Sequence, residues 1–138
     1  IVSHRPLSTT KELADLIASS IRRKGRIHPA TQVFQALRIA VNQEFEHVEK
    51  GVTTPLSLLK PHGRLAVISF HSLEDRIVKQ TFREMARTCT CPPRAPVCTC
   101  KGEAQVTLLT RKVVRPKAQE IQSNPMARST RLRGVEKL

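Results

Sequence analysis

The chain has 138 residues, enough for one modest core, and it does not begin with methionine, so it is expected to be a piece of a longer protein. Lys and Arg number 24 against 11 Asp and Glu, a formal charge of +13 that points to a polyanionic partner, nucleic acid first and an anionic membrane surface second. No apolar run can span a bilayer and no signal-peptide pattern is visible; Trp and Tyr are absent and Phe occurs four times, which argues against modules that read single strands by aromatic stacking and favours phosphate contacts and shape.

Residues Pro6 to Ile21 are predicted to form an amphipathic helix. Thr9 caps it and Glu12, three residues on, completes a capping box. Leu13, Leu16, Ile17 and Ile21 recur at helical spacing and make one apolar face. The basic turn Arg22-Arg23-Lys24-Gly25-Arg26 follows, either a solvated connector or a phosphate-contact loop. His28-Pro29-Ala30-Thr31 opens a second helix, with proline suited to the first turn. It is expected to run to about Lys50, where Gly51 ends it. Val33, Phe34, Leu37, Val41, Phe45 and Val48 form its expected buried stripe. Gln35, Arg38 and Asn42 fall on another face, where periodicity alone reads them as surface residues. Glu44 to Glu49 is the only acidic patch and is expected to face away from any RNA. Thr53-Thr54-Pro55 reads as a loop, and Leu56 to Leu59 as a short helix.

The chain is organised around Leu59 to Arg76. Pro61 and Gly63 mark a turn, and from Leu65 to Phe70 only Ser69 is polar. A nearly continuous apolar run predicts a strand covered on both faces, as in a parallel sheet. His71, Ser72, Glu74, Asp75 and Arg76 follow at once. In open α/β sheets ligands bind beyond the carboxyl ends of strands, so this exit is the place to expect chemistry. Ser72 is the expected N-cap of the next helix, with Glu74 and Asp75 in its first turn. Leu73, Ile77, Val78, Phe82 and Met85 supply its core face. Neither capping nor packing asks for histidine at position 71.

All four cysteines lie in Cys89-Thr90-Cys91-Pro92-Pro93-Arg94-Ala95-Pro96-Val97-Cys98-Thr99-Cys100. A hairpin would gather Cys89, Cys91, Cys98 and Cys100, and four thiolates suit tetrahedral zinc, although C-x-C departs from the usual spacing. Plain thiols in a loop stand slightly ahead of zinc, and disulfides come last because a reducing cytosol disfavours them. Val106 to Leu109 and Lys112 to Val114 are short β-type runs, separate or one strand. Ala118 to Gln122 reads as a helical turn ended by Asn124-Pro125. Ser129 to Leu138 is a last strand with Gly134 as a bulge. This tail is basic: Arg111, Lys112, Arg115, Lys117, Arg128, Arg131, Arg133 and Lys137 against Glu120 and Glu136.

Leu59-Lys60-Pro61-His62-Gly63-Arg64-Leu65 resembles the L-K-P-G-G-x-L approach to the fifth strand of class I S-adenosylmethionine-dependent methyltransferases, with His62 in place of one glycine. Together with Ile27 to Asn42, Ile68 to Lys79, the cysteine hairpin and Asn124-Pro125-Met126-Ala127-Arg128-Ser129, it resembles the ribosomal RNA small subunit methyltransferase H family, also called MraW. One departure is Gln32, where that family's pattern has Arg. The resemblance implies an α/β fold, the C-terminal portion of a Rossmann-like methyltransferase with part of its inserted helical domain. Residues 1–52 would be the later part of the insert and residues 53–138 the C-terminal part of the catalytic domain.

The implied reaction is methylation of N4 of a small-subunit rRNA cytidine by S-adenosylmethionine, in the cytoplasm, on rRNA or the 30S particle and without a membrane. The main cofactor motifs would lie upstream of Ile1, so the piece alone is expected to be inactive. Cytosine N4 is a poor nucleophile that must be held in line and offered hydrogen-bond acceptors. His71 and Asp75 are the candidates for that work. His28, Thr31, Arg38, Asn42, Ser72 and Arg76 are candidates for gripping the nucleotide, which must leave its stack or come from a single strand. The alternative is a non-enzymatic basic RNA-binding module stapled by zinc on the four cysteines.

Overall fold

The computed structural model describes residues 1–22, 25, 28–89, 91, 100 and 102–138, in two compact units, Ile1–Glu44 and Phe45–Leu138. In the first unit, helix α1 spans Thr10–Ser20 and helix α2 spans Ala30–Asn42. Thr9 caps α1 as expected, its hydroxyl accepting from Glu12 N at 3.2 Å. Glu12 in turn accepts from Ser8 N at 2.9 Å, one residue before the cap. The helix begins at this cap and not at Pro6, because the cap supplies the acceptor its first amides need.

The two helices pack on each other and bury Ile17, Ala30 and Ile39. The expected stripe of α2 is corrected here. Leu37 is 45% exposed and Val41 80%, while Ile39, outside that stripe, is buried. The single long helix expected to reach Lys50 is also corrected. Gln43 takes a left-handed φ of 50° and breaks it, and helix α3 runs from Glu44 to Leu58. Gly51 and Thr53-Thr54-Pro55 lie inside α3 and do not end it or form a loop. Pro55 lacks an N–H and makes no helical bond back to Gly51, but the helix continues past it, with Leu59 N donating to Pro55 O.

The second unit is a three-stranded antiparallel sheet in the order β1-β3-β2, with β1 Arg64–Ser69, β2 Val106–Leu108 and β3 Arg131–Lys137. Helix α4 spans Ser72–Met85 and helix α5 Ala118–Ser123. The core joins Val52 and Leu56 of α3, Val78 and Phe82 of α4, Val106 of β2 and Val135 of β3. Leu65 and Val67 of β1 pack against it from one face of the sheet. The fold is mixed α/β, as the sequence implies.

The strand reading needs correction. β1 is not covered on both faces within a parallel sheet: it is an edge strand, antiparallel to β3, and its residues alternate between exposed and half-buried. Ile68 is 57% exposed and Phe70 56%. An unbroken apolar run has no period, so it does not reveal which face is open.

The last strand is the central one. It pairs with β1 from Arg64↔Glu136 to Ser69↔Arg131, and with β2 from Val106↔Lys137 to Leu108↔Val135. Gly134 sits in regular register opposite Ala66 on the β1 side, and the extra residue lies across from it on the other side, at Leu109 and Thr110. Its carbonyl accepts from both Leu109 N and Thr110 N, where the chain leaves β2. Val114 returns as a single bridge to Leu132, so the two β-type runs are separate.

The turn before β1 is closed by Gly63 N donating to Lys60 O at 2.9 Å. His62 sits in it at φ 63°, a left-handed position that explains why glycine suits the pattern there. A Cβ on Gly63 would lie 2.8 Å from Lys60 O, so no side chain fits without moving backbone.

Candidate functional site

The exit of β1 is built by a set of short-range contacts around His71 and Glu74, with Ser69 beside them. Ser69 is buried, and its hydroxyl donates to Arg131 O at 3.4 Å. His71, not Ser72, is the N-cap of α4: its Nδ1 accepts from Glu74 N at 3.3 Å. Glu74 Oε2 answers by accepting from Phe70 N at 2.9 Å and His71 N at 3.3 Å, which completes a capping box. His71 Nε2 also lies 3.2 Å from Glu74 Oε1. Capping therefore does ask for a histidine here, contrary to the sequence reading. Here an imidazole nitrogen takes the place of the usual hydroxyl or carboxylate, at 3.3 Å.

Asp75 faces the sheet. Arg133 Nε donates to Asp75 Oδ1 at 2.6 Å, and the second guanidinium nitrogen donates to Oδ2 at 3.1 Å. The side chains are only 14% and 11% exposed, so this is a largely buried bidentate pair. Arg133 was read as one more cation of a basic tail. Its register opposite Val67 turns it inward, to the face that α4 covers. Its sequence signal is alternation: Arg131, Arg133 and Val135 share one side of β3, and Val135 is fully buried.

Lys137 is likewise structural. Its ammonium donates to Leu59 O at 2.6 Å and Ser57 O at 3.3 Å, where α3 leaves its last carbonyls. Beside the β1 exit lies a groove of about 200 Å³, lined by Val48, Gly51, Val67, Phe70, Glu74 and Val78 among others. Of the strand's polar lip, Glu74 lines this groove, while His71 and Asp75 do not. Ser72 and Arg76 point outward and are exposed.

In the first unit, His28 Nδ1 accepts from Ala30 N at 3.2 Å, which ties down the start of α2. Thr31, in the first turn, is exposed. Arg38 and Asn42 converge on one carboxylate. Arg38 donates to both oxygens of Glu44, at 2.8 and 3.2 Å, and Asn42 Nδ2 donates to Oε1 at 3.3 Å. Two of the three residues in the polar row on α2, Arg38 and Asn42, are thus brought together, and their focus is a residue of the acidic patch expected to face away from RNA. Of the basic turn, Arg23, Lys24 and Arg26 lie outside the described residues.

Cys89, Cys91 and Cys100 come together with their sulfurs all within 4.8 Å of one another; Cys98 lies outside the described residues. Two glutamates have shifted acidity. Backbone donation from Ser8, then the Thr9 hydroxyl, holds the Glu12 carboxyl below its ordinary range. The Arg64 guanidinium does the same for Glu136, with His62 adding to it.

Three curated proteins similar to this chain are named ribosomal RNA small subunit methyltransferase H. The one from Trichlorobacter lovleyi is 57% identical over 136 residues, covering 96% of this chain and 44% of that protein. Those from Thermomicrobium roseum and Syntrophobacter fumaroxidans are each 54% identical, covering 99% and 96% of this chain and 42% and 43% of their own lengths. The chain thus spans less than half the length of the curated relatives it matches. The family profile described as the MraW methylase family matches residues 1–138 throughout, and on that match the chain belongs to the MraW methylase family.

Proposed function

We propose that the protein of which this chain is a part transfers a methyl group from S-adenosylmethionine to N4 of a cytidine in small-subunit rRNA, acting in the cytoplasm on the 30S particle. The observation that carries this reading is the 57% identity, over nearly the whole chain, to a protein named as a small-subunit rRNA methyltransferase. Two features of the chain support it. The net charge of +13 suits an RNA partner. The edge position of β1, with Ile68 and Phe70 exposed, suits a piece of a larger sheet whose remaining strands cover that side.

The groove at the β1 exit does not fit S-adenosylmethionine by itself. At about 200 Å³ it falls below the usual small-molecule range, and its one carboxylate, Glu74, already serves the start of α4. The cofactor's contacts are assigned to the rest of the full-length protein.

Within this chain, His71 and Asp75 are assigned to the base-facing lip. Each has a defined partner, Glu74 or Arg133, that fixes its orientation. Such groups act by holding an acceptor in place beside the amine, where a displacement of about 1 Å already costs rate. Ser72 and Arg76, exposed on the same turn, and His28, Thr31, Arg38 and Asn42 in the first unit are assigned to the nucleotide and its phosphates. The alternative of a non-enzymatic basic module is the weaker one, since the matched relatives are named as methyltransferases.

The test uses the full-length protein, small-subunit particles lacking the modification and an isotopically labelled methyl donor, with nucleoside analysis of the rRNA. N4-methylcytidine is expected, and residues 1–138 alone are expected to form none. A folded full-length protein that forms no N4-methylcytidine overturns the proposal. Near-normal activity in both His71→Ala and Asp75→Asn removes those two residues from the lip.

A further inference from the structure

We propose that Cys89, Cys91 and Cys100 bind a structural zinc ion that closes the neck of the segment between α4 and β2. Three observations converge on that neck. The Cys89 and Cys100 sulfurs lie 3.6 Å apart, and Cys91 joins them within 4.8 Å. Gly102 is pressed against the other arm, where an added Cβ would lie 2.8 Å from Thr88 O. Gln105 N donates to Met85 O at 2.8 Å, which ties the end of α4 to the approach of β2. The backbone therefore brings the two arms together, and the sulfurs meet where they close.

At 3.6 Å the Cys100 thiol donates to the Cys89 sulfur, and the same spacing suits two thiolates on one ion. A disulfide needs its sulfurs about 2.05 Å apart, far closer than Cys89 and Cys100 lie. Thiolates around one tetrahedral zinc, with Zn–S near 2.3 Å, sit about 3.8 Å from each other, close to what is seen. A four-iron, four-sulfur cluster would spread its cysteines wider, since each then holds a different iron, whereas two cysteines on one iron would sit as close as on zinc, and metal analysis separates those two cases. A soft, redox-inert divalent ion matches thiolate ligands, and zinc fits that description. On binding, each thiol releases its proton to solvent and its sulfur lone pair forms the bond to the ion; nothing is oxidised or reduced. Three thiolates leave one tetrahedral position for a further ligand. The ion's role is to hold α4 and β2 in register where a long insertion would otherwise let the neck open.

The test is made on the full-length protein, produced with zinc available and purified without chelators under reducing conditions. Metal analysis is expected to find stoichiometric zinc, released when the thiols are blocked with a mercurial. Cobalt reconstitution is expected to add the near-ultraviolet absorption of sulfur-to-cobalt charge transfer. The double variant Cys89→Ser/Cys100→Ser is expected to lose both signals and to be cut faster by protease between α4 and β2. Wild-type protein with no bound metal and no cobalt band overturns the inference, whatever the variant does. So does stoichiometric iron, or intact mass and thiol titration showing a disulfide under these conditions.

Discussion

Replacing Asp75 by Asn isolates the pair that joins α4 to the central strand. The change keeps the size of the side chain and removes its charge, leaving the Arg133 guanidinium, 11% exposed, without a counter-charge. One-sided removal from a buried ion pair costs about 3–5 kcal/mol; Asn retains an acceptor and the site keeps slight exposure, so the lower end, about 3 kcal/mol, is expected. At 1.36 kcal/mol per decade that is roughly a 100- to 200-fold faster opening of the amides it protects. Hydrogen exchange read by mass spectrometry on the full-length protein, in peptides covering β3, measures this locally without assuming two-state unfolding.

The double variant Asp75→Leu/Arg133→Met restores packing without charge and is expected to bring protection back to within about 1 kcal/mol of wild type. If Asp75→Asn changes β3 exchange by less than about 5-fold, near 1 kcal/mol, the pair does not join these elements as argued. The same variants separate structure from function. A double variant that is protected but cannot methylate keeps Asp75 at the lip; one that regains both properties makes Asp75 purely architectural.

His62→Gly relieves a left-handed residue in the turn before β1, and net stabilisation of about 0.5–1 kcal/mol is expected, read as a higher melting temperature; a lower one contradicts the strain. Gly63→Ala in the same turn forces Cβ against Lys60 O, and a loss of about 1–3 kcal/mol is expected by the same measurement. Glu12 titrates from a depressed value, so its stabilisation of α1 is present above its ordinary value of 4.5 and is lost as pH falls through the depressed one. Amide exchange at the start of α1 should therefore accelerate in acid in wild type, and Glu12→Gln should remove that pH response. Lys137→Met removes the donor at the end of α3, and a cost of about 1 kcal/mol is expected; an unchanged melting temperature refutes the cap.

Local signals were legible. The Thr9 cap of α1, the turn at Pro61 to Gly63, and the apolar face of α4 around Val78 and Phe82 all lie where the residues place them, although Glu12 accepts from Ser8 N, one residue before the Thr9 N that a capping box uses. Each depends on groups within four residues of one another, so the chain carries the whole interaction locally. The break at Gln43 was not legible, because Gln has no preference for a left-handed φ. The burial of Ile39 in place of Leu37 and Val41 was not legible either, since α2 is apolar on more than one side.

Charge and motif spelling by themselves determine that this is a basic chain with the strand-exit signature of its family. Tertiary structure alone decides that the last strand is the middle one, and that Arg133, spelled like a phosphate contact, is the buried partner of Asp75. The physical reason is common to both. Pairing between strands and between distant charges is set by which segments return to the same place, and no window of neighbouring residues contains that information.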